Sequence, residues 1–539
     1  MAKNKPVYAF EEADSKKRML LGGKGAGLSE MTRLKLPVPP GFTITTEVCN
    51  KYYDNNGKLP KDVMPAVMKN IAKMEKKTGK KWNSTKNPLL VSVRSGAAIS
   101  MPGMMDTILN LGLNEKTVEG FAEQTKNPRF SWDSYRRFIQ LFGKVVFGVN
   151  DEKFDHVLDD AKEKQGVTDD SKLSVESLKS IVSKYKKICE EHTKRKFPDT
   201  PNEQLVLSIE AVFKSWMGER AIVYREKNNI TKDIANGTAV NVVTMVFGNM
   251  GDDSATGVVF TRNGHNGKKE IEGEYLINAQ GEDVVAGVRT GKSIELLKKD
   301  MPKSHKELSN ACAKLEKHFR EPQDIEFTIE QGKFYLLQTR TAKMSAAALV
   351  KTSVDMVKEK LINKDKALTR IPAQQLEALL HRTMDESKIK DFKKLAKGIA
   401  ASPGAASGIV VFDVKKAIEL GDSGKKVILV RKETKPEDVP AFFSSEGILT
   451  SLGGKSSHAA IVSRGMGKPC IVGCPELKID YDNNIGTANG MTIKEGETIT
   501  IDGSEGTVFI GEIPTVEPKV TKDFEQILAW AQKTKTLGI

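Results

Sequence analysis

One of the seven histidines in this 539-residue chain stands in a distinctive setting. His458 lies within Ser451–Gly473, SLGGKSSHAAIVSRGMGKPCIVG. Gly453 and Gly454 predict a turn, and Ser456 or Ser457 can cap a helix that starts there. The imidazole would then occupy the first helical turn, where backbone N–H groups and the helix dipole favour an anion. A neutral imidazole is a nucleophile near neutral pH, and its phosphorylated form has a high transfer potential. A hydrogen-bonded structural histidine is the plainer alternative.

Three further groupings could do chemistry. In QDIEFTIEQGKFYLLQTR, the strand alternation puts Asp324 and Glu326 on one face. A turn at Gly332 returns the chain, and Gln338 and Arg340 share a face by the same rule. Carboxylates suit Mg²⁺, which takes a few protein oxygens and leaves the rest to phosphates. Arginine can hold a phosphate with two parallel hydrogen bonds. An exposed strand face with incidental ion pairs would look the same. In LLGGKGAGLSEM, four glycines surround Lys24 ahead of a helix, a pattern that lets backbone N–H groups approach phosphate. It is not a Walker A sequence, and a tight turn into a helix explains it as well. In VSVRSGAAISMPGMMD, Arg94 ends an apolar strand and precedes a loop carrying Met101, Met104, Met105 and Asp106. That loop is either core filler or an apolar lid.

These groups need elements to hold them. Residues 1–110 alternate short apolar runs with glycine and proline punctuation. Residues 115–235 carry helical spacing and many charges, which predicts a helical insertion. Strand patterns return over 239–340. Residues 341–395 predict charged helices and a linker, and a second β-rich unit follows from about 396 to 513. The tail over 514–539 predicts one amphipathic helix. The expected class is α/β with α+β features.

Composition narrows the function classes. The net charge of +14 arises from 84 basic and 70 acidic residues, a field that favours anionic partners. The lysines are interspersed with acids, and no basic stripe with interleaved aromatics suggests nucleic acid. No run approaches the roughly 20 apolar residues of a membrane span, and the first residues do not form a signal peptide. A soluble cytoplasmic protein is expected. Five scattered cysteines predict neither a disulfide framework nor a zinc site.

Taken together, LLGGKGAGLSEMTRLKLPVPPGFTITTE, PLLVSVRSGAAISMPGMMDTILNLGLN, NPRFSWDSYRRFIQ, GEYLINAQGEDVVAGVRT, QDIEFTIEQGKFYLLQTR, ASPGAASGIVVF and GGKSSHAAIVSRGMGKPCIVG closely resemble the pyruvate phosphate dikinase family of phosphoenolpyruvate-utilising enzymes. The resemblance covers essentially the whole chain. It implies an ATP-grasp nucleotide-binding domain over 1–340 and a swivelling phosphohistidine domain over about 396–513. Lys24, Arg94, Glu282, Asp324, Glu326, Gln338 and Arg340 fall on the family's ATP, Mg²⁺ and phosphate positions, with Asp324, Glu326 and Gln338 as metal ligands. His458, with Arg94 and Lys24, would carry catalysis. The histidine would take a pyrophosphoryl group from ATP, leaving AMP, and phosphate would remove the terminal phosphoryl as pyrophosphate. Many members have threonine where this chain has Ser456. Either hydroxyl can hydrogen-bond, but the regulatory phosphorylation of that threonine in plant relatives does not carry over.

The family continues into a barrel domain for pyruvate and phosphoenolpyruvate, whereas this chain ends at Ile539. The expectation is therefore a monomeric form that keeps the ATP/phosphate half-reaction and lacks the pyruvate one. Two alternatives stand beside it: a non-catalytic nucleotide-binding phosphocarrier, and a phosphotransferase with a different acceptor.

Overall fold

A computed structural model describes residues 4–101, 104–281, 283, 291–379, 383–384, 388–516 and 521–534. The chain forms two compact units. The first comprises Met1–Gly251 with Tyr335–Thr339, the second Asp252–Phe334 with Arg340–Ile539. Helices and several sheets alternate in both, so the fold is α/β.

In the first unit, five antiparallel strands run in the order Val7–Ala9, Gly41–Ile44, Thr238–Thr244, Val91–Ala97, Thr107–Leu111. The central strand is buried at every residue, as TAVNVVT predicts from its β-branched content. The helix Arg18–Arg33 lies against the strands Val91–Ala97 and Thr238–Thr244. Residues 115–227 form six α-helices, several with sequence-encoded starts. Asn114 makes a capping box, Asn127 caps ahead of Pro128, and Thr200 caps ahead of Pro201. Their core is aromatic, with Phe138, Phe142 and Phe197 ring to ring. Buried Asp133 bonds Arg136 and Arg137; burial alone would raise its pKa, but the arginines outweigh that and hold it at about 2.

The second unit contains two main sheets. The strand Ala255–Phe260 pairs on one side with Glu272–Ile277 and on the other with Gln323–Glu330. The turn after Gln323–Glu330 places Gln331 and Gly332 at φ 48° and 71°, the signature of a two-residue hairpin. The larger sheet has eight strands, in the order Lys394–Lys397, Thr507–Ile510, Thr498–Asp502, Ala405–Val411, Val427–Arg431, Gly447–Thr450, Cys470–Val472, Ile399–Ser402. The four strands from Ala405–Val411 to Cys470–Val472 are mutually parallel. Parallel pairing requires crossovers, here the helices Val414–Asp422, Val439–Ser444 and His458–Met466. The strand runs VILVR and GILT are almost continuously buried, as expected for parallel strands covered on both faces.

Described residues of the expected linker contribute to a small core of their own. Val350, Val354 and Met356 of the helix Ala346–Lys358 pack with Phe524, Ile527 and Trp530 of the terminal helix Lys522–Thr534. Arg262, wholly buried, ties this helix to the sheet. Its guanidinium bonds Glu316 at 2.8 Å and Glu359 at 2.8 Å. Truncating one member of a buried pair strands the other, so Arg262→Ala should cost about 3–5 kcal/mol. Denaturant unfolding of the variant against the parent chain measures this.

Candidate active site

In the first unit, the glycine-rich segment lies inside the helix Arg18–Arg33, which kinks at Gly22. The sequence suggests a loop leading into a helix; the chain instead bends within one. Gly22 takes φ 69°, and a Cβ there would collide with the carbonyl of Gly96. A Cβ on Gly96 would lie 3.2 Å from the Cβ of Lys24. Arg94 precedes Gly96 by two residues on the same strand, so both face the same side. Lys24 and Arg94 are therefore brought to one sheet face, about 7 Å apart along the strand direction. Both are half-buried, and Arg94 Nε donates to Ser92 Oγ at 3.2 Å. Asn241 pairs with Arg94 across the strands and with Thr43 on its other side, sharing that face. It is wholly buried, its Oδ1 accepts from Thr43 Oγ1 at 2.8 Å, and it lies beneath Gly25 and Gly96. A lone asparagine in a valine-rich strand is the signal that could have found it. Gln338, half-buried, belongs to this unit, and Glu282 lies outside the described residues.

In the second unit, Asp324 and Glu326 do share a sheet face. Arg340 Nε donates to Asp324 Oδ2 at 2.6 Å. Asp324 is 3% exposed, and its Oδ1 has no partner. Burial pushes its carboxyl above the usual range, with Arg340 opposing. Burial works against the charge on Arg340, but Asp324 and Glu326 outweigh it and raise its pKa. An orphaned carboxylate oxygen beside a second carboxylate fits a hard cation that completes its shell with phosphate oxygens. Among the described residues no group of three or more His, Cys, Asp or Glu could hold a metal alone. The two-carboxylate site thus suits Mg²⁺ better than a closed protein cage.

The strand register adds two acids that the residue-by-residue reading missed. Glu272 faces Phe260, which faces Asp324; Glu274 faces Val258, which faces Glu326. Four carboxylates therefore share one face in two rows. The alternation in EIEGEYLI carried the signal.

His458 is the first residue of the helix His458–Met466, and it follows the carboxyl end of the parallel strand Gly447–Thr450. That position is where ligands bind in parallel sheets. Ser457 is the N-cap with extended backbone, yet its hydroxyl makes no capping bond. The expected serine cap is therefore absent. The Oγ atoms of Ser456 and Ser457 and both ring nitrogens of His458 are buried without partners. Each such group costs about 1–3 kcal/mol, so their grouping at a helix N-terminus points to an anionic guest. A small pocket in front of the ring is lined by Glu433, Thr434, Thr450, Leu452, Gly453 and Ser457. Phe442 lies with its ring centroid 6.2 Å from that of His458. The five cysteines are free and buried, with burial pushing each thiol up to about 12. No described helix is long and apolar enough to cross a membrane.

Burial lowers His458 to about 4, with Glu437 opposing. The ring is then neutral at pH 7, with a lone pair available for attack. The unfolded state takes up a proton near pH 6.5, while the folded state resists until about 4. Stability is thus lost as the pH falls between those values and is retained above them. A two-dimensional NMR titration should show no His458 inflection above about pH 5, and His458→Asn should lessen the acid-induced loss of stability. A midpoint near 6.5 would contradict the burial argument.

Comparison with known proteins was made against this geometry. The family model described as pyruvate phosphate dikinase, AMP/ATP-binding domain, matches residues 18–60, 55–309 and 301–361. That described as PEP-utilising enzyme, mobile domain, matches residues 424–506. The pyruvate, phosphate dikinase of Entamoeba histolytica is 52% identical over 536 residues, 99% of this chain and 60% of that protein. The pyruvate, phosphate dikinase of Clostridium symbiosum is 49% identical over 534 residues, 99% of this chain and 61% of its own. The chloroplastic pyruvate, phosphate dikinase 1 of Arabidopsis thaliana is 45% identical, with 99% and 56% covered. The chain thus spans about three-fifths of the length of these relatives.

Proposed function

Because the chain belongs to the pyruvate phosphate dikinase family, we propose that it is an ATP-dependent phosphotransferase that loads a phosphoryl group onto His458. The observation that carries the reading is the neutral, unpartnered ring at a helix N-terminus with two unpartnered serine hydroxyls beside it. Residues 1–340 are assigned to an ATP-grasp-type nucleotide-binding domain with its helical insertion at about 115–235. Residues 396–513 are assigned to the phosphohistidine domain, with 341–395 as linker and 514–539 as connecting helix.

The proposed chemistry divides among named groups. Lys24, Arg94 and Arg340 neutralise phosphate charge, and Glu282 and Gln338 add contacts to the nucleotide. Asp324, Glu326 and Gln338 would hold Mg²⁺, whose role when bound is to screen the phosphate oxygens. A ring nitrogen of His458 attacks the β-phosphorus, the α–β bridging bond breaks, and AMP leaves. Inorganic phosphate then attacks the terminal phosphorus, and pyrophosphate departs from phosphohistidine. The ring's proton passes to solvent or phosphate. The N–H groups of the first helical turn and the hydroxyls of Ser456 and Ser457 receive the new anion. Hydroxyls without protein partners are what such a receptor requires.

The relatives' name joins pyruvate to phosphate. We assign the onward transfer to pyruvate, giving phosphoenolpyruvate, to surfaces contributed by the further length of those relatives. The present residues would act in solution as a cytoplasmic carrier and its loader.

Incubation with β-³²P-ATP, Mg²⁺ and phosphate should leave acid-labile label on the protein. His458→Asn should abolish it, and Asp324→Asn should slow it by about 100-fold, the scale of losing one electrostatic contact to the reacting phosphates. Label that survives His458→Asn would end this reading. ATP binding with no AMP formed would favour a non-catalytic nucleotide-binding protein instead.

A further inference from the structure

Resting on the phosphocarrier reading, the geometry points to Lys455 as the positioning residue that seats the His458 loop on the acid-bearing sheet, with Glu272 as its partner. Lys455 Nζ bonds Glu272 Oε1 at 2.6 Å, and its backbone N–H donates to Glu274 Oε1 at 3.2 Å. The side chains are 33% and 11% exposed, so solvent screens this pair less than a surface bridge. Glu274 reaches the loop because position 454 is glycine; a Cβ there would collide with the Glu274 carboxylate. One side-chain bond, one main-chain bond and one steric requirement thus join two adjacent loop residues, Gly454 and Lys455, to the strand Glu272–Ile277.

The register says where this seat lies. Glu272, Phe260 and Asp324 occupy one row across three strands. At about 4.8 Å per strand, the Lys455 clasp is roughly 10 Å from the candidate metal carboxylate. Arg464, on the same helix as His458, extends the contact. It is 2% exposed, donates Nη2 to Ala401 O at 2.8 Å, and stacks 5.3 Å over the Phe260 ring in the middle of the row. His265 Nε2 lies 2.7 Å from Ala400 O and closes the far edge. Of these contacts, only the Lys455–Glu272 bond is a salt bridge between two side chains, and it can be exchanged without opening the core. Its position three residues before His458 couples it directly to the ring.

Lys455→Met and Glu272→Gln should each slow single-turnover labelling of His458 about tenfold, the equivalent of one partly buried charged bond. The affinity for a non-hydrolysable ATP analogue should not change. The reversed pair, Lys455→Glu with Glu272→Lys, should recover most of the rate, whereas loss through misfolding would not be recovered. Raising the salt concentration should slow the parent and leave Lys455→Met insensitive. Unchanged rates in the single variants, or a reversed pair no better than either single variant, would overturn the proposal. Faster labelling in the single variants would also overturn it, by showing the seat to be a parked position. Absence of label on the parent chain would instead remove the phosphocarrier reading on which this one rests.

Discussion

Carboxylates set side by side on one sheet face repel one another, and cations brought to them relieve that repulsion. Asp324, Glu326, Glu272 and Glu274 form such a set, and their strands fix the spacing. Arg340 answers Asp324 from the returning arm of the hairpin, and Lys455 answers Glu272 from the histidine loop. One oxygen of Asp324 is left over. The balance is therefore incomplete in a way that a divalent cation with its phosphates would complete. On the proposed reading one end of this face, Glu272 and Glu274, seats the His458 loop and the other, Asp324 and Glu326, would hold the metal. This explains why the sequence places acids on alternate positions of two strands that flank a third, apolar one.

The histidine obeys the opposite constraint. A nucleophilic ring must be neutral, and burial beside Phe442 achieves this without a base. The serines that would ordinarily satisfy the helix start leave it open. The helix forgoes part of its own capping energy, about 1 kcal/mol, and on the proposed reading its first-turn donors receive the phosphoryl group. The parallel strand that feeds the loop is buried at all four residues.

Much of this was legible in the residues. The period-two acids of DIEF, the Gly332 turn and the helical run after Ser457 each rest on local stereochemistry, and each element appears where its pattern predicts. The alternation in EIEGEYLI and the lone asparagine mark Glu272, Glu274 and Asn241 as unusual, but what they contribute depends on which strands become neighbours. Nothing local to EIEGEYLI says that it lies beside Ala255–Phe260, or that Gly454 is small for the sake of Glu274. The kink at Gly22 was hidden for the same reason: the Gly96 carbonyl that forbids a side chain there comes from a distant strand. The serine cap was misjudged because local rules assign the hydroxyl to the helix N–H groups, whereas here it makes no such bond.

The central proposal is that His458 is held neutral and unpartnered so that it can receive a phosphoryl group. Its most direct test is ³¹P NMR of the protein after one turnover with ATP, Mg²⁺ and phosphate, with the nucleotide products quantified in the same sample. The account predicts one phosphohistidine resonance, one AMP and one pyrophosphate per chain, all lost in His458→Asn. ADP as the product, or AMP without a phosphohistidine signal, would contradict it.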